Sequence, residues 1–130
     1  MRKLIGTAAA AAMLALAAGA LAGVPLLTFT ATRTGKPAQR LVLVKWTTGA
    51  EEDTLGFNLY RTVKTALVTT PKPVKVNKGL ILARGSGAGA TYTYKDKLPK
   101  GATKPCYQLE WVTKTGTKTP DTKTTACSKK

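Results

Sequence analysis

Two cysteines, a run of three carboxylates and a glycine-rich loop are the groups in this 130-residue chain whose types and spacing could do chemistry. Cys106 and Cys127 could form a disulfide, a redox couple or part of a metal site. Their spacing is not CxxC, and two thiolates cannot build a four-thiolate zinc or iron–sulfur centre. The chain contains no histidine, which removes imidazole bases, Ser-His-Asp triads and histidine metal ligands. Glu51-Glu52-Asp53 could act as an acid–base pair or as oxygen ligands for Ca²⁺. Adjacent carboxylates without further oxygen ligands at regular spacing read instead as a solvated turn. Gly85-Ser86-Gly87-Ala88-Gly89-Ala90 matches GxGxxA, but a dinucleotide fingerprint needs a helix after it to hold the pyrophosphate. Thr91-Tyr92-Thr93-Tyr94 comes next, a strand pattern, so the segment reads as a flexible hairpin loop. Serine–lysine chemistry would have to use Ser86 in that loop or Ser128 in the tail. No catalytic residue, metal site or cofactor is expected.

The basic residues are the larger signal. Lys and Arg number 21 against six Asp and Glu, a net +15. A potential of that sign attracts polyanions and costs some compactness by self-repulsion. Lysine dominates arginine and is scattered, which disfavours bidentate phosphate recognition. Lys95, Lys97, Lys100 and Lys104 gather before one strand and are the candidate contacts for an anionic partner. Among the rings, Trp46, Tyr92 and Tyr107 read as core. Tyr60 and Trp111 are the candidates for exposed aromatics in a sugar- or base-stacking surface.

The first 22 residues read as an export leader. Arg2 and Lys3 precede an uncharged Leu4–Leu21 stretch, and Ala20-Leu21-Ala22 offers small residues at a cleavage site before Gly23. A cut after Ala20 and an uncleaved anchor running on to Thr32 are the alternatives. Cleavage leaves residues 23–130, with 19 basic against six acidic side chains, a net +13. That length makes one domain, placed in a periplasmic, cell-surface or secreted setting where disulfides persist.

The elements that must position these groups are short β-prone runs. They are Leu26–Arg33, Arg40–Thr47, Phe57–Val63, Lys75–Arg84, Thr91–Lys95, Cys106–Thr113 and Lys123–Ser128, separated by Gly- and Pro-containing turns. Val42, Val44 and Trp46 share one face, as do Phe57 and Leu59, Tyr92 and Tyr94, and Tyr107 and Leu109. Lys45, Asn58, Lys95, Gln108 and Glu110 alternate with them and should face water. Leu41 and Leu43 break the alternation, which reads as a central strand covered on both faces. Seven such strands in about 100 residues predict a sandwich or small barrel. The midpoint between the cysteines falls on Gly116-Thr117. A hairpin turning there would set Cys106 and Cys127 opposite each other at disulfide distance, although the Thr- and Lys-rich tail alone would suggest disorder.

The series Leu43-Val44-Lys45-Trp46, Glu51 with Asp53, Gly56-Phe57-Asn58-Leu59-Tyr60-Arg61, Tyr92-Thr93-Tyr94-Lys95-Asp96 and Tyr107-Gln108-Leu109-Glu110 resembles the fibronectin type III-like modules of bacterial secreted and surface proteins. The resemblance covers about residues 40–113. It implies an all-β, two-sheet antiparallel Greek-key sandwich of about seven strands behind an N-terminal signal helix, with Trp46 and Tyr107 in the core. Leu98, Gly101 and Tyr107 occur in the family's order, with Thr103-Lys104-Pro105 lengthening the connection. The resemblance says little about function; with the leader and the positive charge, the expectation is a non-catalytic binding or structural module at the cell envelope or in the medium, facing an anionic envelope polymer or another protein. A cationic secreted effector, either an inhibitor or a membrane-active protein, is the alternative. Export argues against a dedicated nucleic-acid role, and membrane attachment is expected only with an uncleaved leader. The mass of the protein recovered from its host should correspond to a start at Gly23, less about 2 Da for the two hydrogens lost on forming one disulfide. A mass retaining Met1 would exclude cleavage.

Overall fold

The computed structural model describes residues 25–68, 70–120 and 124–128. The expected leader lies outside them. Nine strands form two antiparallel sheets, with short 3-10 turns at Pro37–Gln39 and Ser86–Ala88. The first sheet has the order β1 (Leu26–Thr34), β2 (Leu41–Thr48), β6 (Thr91–Lys97). The second centres on β3 (Thr54–Lys64) paired with β7 (Thr103–Thr113). On one flank β4 (Val74–Lys75) and β5 (Ile81–Leu82) both pair with β3, and on the other β8 (Lys118–Pro120) and β9 (Ala126–Cys127) both pair with β7. The chain leaves the first sheet after β2 and returns beside β2 as β6. Such a sandwich, with β2 central in one sheet and β3 and β7 central in the other, is consistent with a fibronectin type III-like module.

Period-two burial builds the interior. Val42, Val44, Trp46, Phe57, Leu59, Tyr92, Leu98, Tyr107, Leu109 and Trp111 close over one another between the sheets. Trp46 stacks on Tyr92 with centroids 5.4 Å apart, and Phe57 meets both rings edge-on. Such contacts contribute roughly 0.5–1.5 kcal/mol each beyond area burial. β2 is central, as its double apolar pattern predicts. Leu41 and Leu43 are only half-buried, however, so its outer face is not covered.

Two ladders slip by three residues where the sequence pattern predicts continuous strands. Lys75–Arg84 was expected as one run. Instead β4 pairs as Tyr60↔Lys75 and β5 as Phe57↔Ile81, and Asn77 sits between. Its Oδ1 accepts from the Leu59 backbone N–H at 2.7 Å, filling a ladder position that the looped backbone leaves open. Gly56 makes that flank feasible, because a Cβ there would lie 2.5 Å from the Ile81 carbonyl oxygen. The final hairpin turns at Thr113–Thr117, where Gly116 has φ +91°. β8 keeps the register Trp111↔Thr119, whereas β9 pairs as Cys106↔Cys127, so three extra residues enter the return arm.

Cys106 and Cys127 form a disulfide with Cα atoms 4.0 Å apart. The Ser128 N–H donates to the Pro105 carbonyl at 3.0 Å, which makes the cysteines the closely spaced, non-hydrogen-bonded pair expected of them. The link holds a two-residue strand whose Ala126 is buried. Replacing both cysteines by alanine should destabilise the domain by about 3 kcal/mol, the chain-entropy value for a loop of this length. The check is the urea midpoint of the variant against the oxidised wild type. An unchanged midpoint would show that the link closes a segment already held by packing.

Candidate functional site

Three of the six acidic residues end in hydrogen-bonded clusters inside or against the sandwich, and these organise the surface available for binding. The first cluster joins the two sheets. Asp96 lies on β6 in phase with Tyr92 and Tyr94 and is buried. It accepts from Arg61 Nη1 at 2.8 and 2.9 Å and from the Tyr107 hydroxyl at 2.6 Å. Arg61 and Tyr107 are register partners on β3 and β7. A carboxylate of one sheet is thus bound by two facing residues of the other. Tyr107 therefore bonds a side chain rather than the upstream backbone of a tyrosine corner.

The second cluster corrects the reading of Glu51-Glu52-Asp53 as a solvated turn. Glu52 and Asp53 are exposed, but Glu51 is 2% exposed. It accepts from Thr48 Oγ1 at 2.5 Å, from the Tyr92 hydroxyl at 2.6 and 2.7 Å, and from the Gly85 N–H at 2.6 Å. The Glu51 N–H in turn donates to the Ser86 carbonyl at 2.6 Å. The glycine-rich loop is consequently pinned rather than flexible. Gly89, at φ +73°, has room for no side chain, since a Cβ would lie 2.0 Å from the Thr48 carbonyl oxygen. Arg84 bonds the Thr91 carbonyl and places its guanidinium 4.6 Å over the Tyr92 ring. Because the loop leads directly into β6, it has no helix N-terminus to offer a phosphate.

The third cluster corrects the expectation that Asn58 and Glu110 face water. Asn58 is buried and Glu110 half-buried beneath the Asn77 segment. Glu110 Oε1 accepts from Asn58 Nδ2 at 2.9 Å and from the Tyr60 hydroxyl at 3.3 Å, and Asn77 Nδ2 donates to Asn58 Oδ1 at 3.0 Å. Tyr60 is half-buried in this network. Trp111 is not exposed either: at 6% it belongs to the core, because it keeps the inward phase of Tyr107 and Leu109 along β7. The two therefore do not form a stacking platform.

Alternation carried a signal for these carboxylates that composition hides. Asp96 keeps the inward period of Tyr92 and Tyr94, Arg61 that of Phe57 and Leu59, and Thr48 that of Trp46. Inward polar side chains must find one another. Lys95, Lys97, Lys100 and Lys104 are all exposed. Lys95 and Lys97 point out from β6, Lys100 sits in the turn before β7, and Lys104 is the second residue of β7 in the other sheet, at φ +50°. The four are not one cluster. The structure instead sets Lys95 beside Leu43, one position from Lys45 on the outer face of β2. Among the described residues no group of three or more His, Cys, Asp or Glu could hold a metal ion, and no helix is long and apolar enough to cross a membrane.

No protein-family model and no curated protein matches the chain. Among solved structures it is similar to the crystal structure of a Fn3-like protein from Clostridium thermocellum, at 17% identity and a TM-score of 0.47 over 78% of this chain and 86% of that one. The two-sheet architecture is that of a β-sandwich, and the disulfide is compatible with an extracytoplasmic protein.

All four tyrosines have pKa values raised above the ordinary phenol value. For Tyr107 burial is the main cause, with the hydrogen bond and charge of Asp96 next, against which Arg61 and Arg33 act. A raised folded-state pKa gives stability that is complete below the unfolded value of about 10 and is lost as pH rises past it. The denaturant midpoint should therefore fall between about pH 9 and 11, and Tyr107→Phe should make that fall shallower. An equal slope in the variant would show that lysine deprotonation, not the buried phenol, sets the alkaline limit.

Proposed function

We propose that this is an exported, non-catalytic binding module whose partner is anionic. The observation that supports the reading is the unequal fate of the charges. Glu51, Asp96 and Glu110 are engaged in internal hydrogen bonds, whereas every lysine among the described residues is exposed. The ion pair among those residues, Arg61–Asp96, involves no lysine. The surface is therefore more one-sided than the net +15 of the sequence implies, and such a field speeds and selects encounters with anions. Loops and edge strands of the sandwich supply the contact area, with Lys95, Lys97, Lys100 and Lys104 steering the partner.

The cationic-effector reading has one feature of its own, the turn at Thr65–Val68, where Leu67 is 94% and Val68 46% exposed. Its membrane-active form requires leakage from anionic vesicles. Intact vesicles in the presence of the protein would eliminate it.

Replacing Lys95, Lys97, Lys100 and Lys104 together by glutamine should lower the salt concentration at which the protein leaves immobilised heparin. It should also flatten the dependence of affinity on salt, because fewer counterions are released on binding. An unaltered slope would remove these lysines from the contact.

A further inference from the structure

Among the described residues, no other part of the fold covers the outer face of the first sheet. Three strands present it, and their register fixes a grid. One row reads Thr30–Lys45–Thr93 and the next Thr32–Leu43–Lys95, with Lys97 further along β6. Neighbouring positions lie about 4.8 Å apart across strands and about 6.7 Å apart along them. Lys45, Lys95, Lys97, Thr30, Thr32 and Thr93 are all exposed. No described acidic residue shares the face: Glu51 and Asp96 are buried, Glu52 and Asp53 lie on the β2–β3 connection, and Glu110 is on the other sheet. The hydroxyls of Thr30, Thr32 and Thr93 make no hydrogen bond within the described chain, in contrast to the Thr47–Thr91 pair at 3.1 Å.

Protection of an exposed sheet edge explains lysines on β6, since charge there discourages pairing with another strand. It does not explain Lys45, which stands on the central strand with a partner on either side. An ammonium group in the middle of a threonine face, with no carboxylate beside it, is arranged for an anion from outside. The rest of the face narrows the chemistry. It holds no aromatic ring for stacking bases and no arginine fork for bidentate phosphate. Its two leucines are half-buried and so do not project as a membrane anchor would. What remains is a set of hydroxyl donors and acceptors around three point charges on flexible stems, which suits a chain bearing hydroxyls and carboxylates in alternation.

We propose that the outer face of the β1–β2–β6 sheet, centred on Lys45 with Thr30, Thr93 and Lys95, is a docking surface for a linear acidic polysaccharide. The inference rests on the anionic-partner reading and gives it a place and a substrate class. Titrating the full protein with polygalacturonate tests it. Lys45→Glu should weaken binding at least tenfold. The isosteric pair Thr30→Val with Thr93→Val should weaken it several-fold while leaving the salt slope unchanged, because hydroxyls and not charges are lost. Lys114→Glu with Lys118→Glu, a larger charge change at the exposed β7–β8 turn of the other sheet, should alter affinity less than twofold, with thermal midpoints showing that each variant is folded. A greater loss from Lys114→Glu with Lys118→Glu than from Lys45→Glu would overturn the site but leave the anionic-partner reading standing. Threonine variants that bind like the wild type, or tighter binding to polyphosphate or phosphatidylglycerol vesicles than to polygalacturonate, would overturn the polysaccharide. Failure to bind any of the three probes would bring down the anionic-partner reading itself.

Discussion

A single buried carboxylate carries more of this structure than its one charge suggests. Asp96 belongs to one sheet and its three hydrogen bonds run to the other. Two sheets that met through apolar side chains alone could slide by a residue pair at little cost, since dispersion is non-directional. The Asp96 cluster is directional. It requires Arg61 opposite Tyr107 on their own ladder and both opposite β6, so it sets how the layers are placed. Removing Asp96 would leave the Arg61 charge largely buried and unpaired, a change that costs roughly 3–5 kcal/mol in comparable sites. Replacing the whole set by well-packed apolar groups could cost little, which identifies the cluster with specificity of packing more than with bulk stability.

The same use of acids inside the fold shapes the outside. Each internal carboxylate holds a particular piece of chain: Glu51 the glycine loop, Asp96 the opposing sheet, Glu110 the Asn58–Asn77 flank. None of them offsets a surface lysine. A domain with few acids to begin with thereby presents an almost uniformly basic exterior. Its exposed lysines fall on both sheets, the turns and the final hairpin, and the proposed contact stands out from them by its central-strand position and its bare threonine surround.

Much of the sandwich is legible in the sequence. Val42, Val44 and Trp46 alternate strictly, and a period of two has one structural meaning when turn residues bound it. The cysteine positions predicted the last hairpin because a disulfide across a ladder leaves few choices of turn. What escaped were the interruptions. Asn77 replaces a backbone group with a side-chain oxygen, and a three-residue change of register between β8 and β9 shifts one arm of a hairpin without changing its partner. Neither leaves a periodic trace, because each is a single departure from a pattern. Trp111, a candidate for an exposed ring, instead keeps the inward phase of its strand and joins the core.

The order of residues alone determined the fold class, the two-sided character of each strand and the pairing of Cys106 with Cys127, all of which come from local alternation and chain connectivity. Tertiary structure decided which charges remain for a partner, since an acid's availability depends on what the fold brings within hydrogen-bonding distance of it. Glu51 and Glu52 are neighbours of the same type, yet one is enclosed by Thr48, Tyr92 and Gly85 and the other faces solvent. Lys45 and Lys95, far apart in the chain, share a face only because β2 and β6 are adjacent strands. Contacts between distant segments have no counterpart in sequence spacing, and for this reason the proposed binding face was visible only once the sheets were assembled.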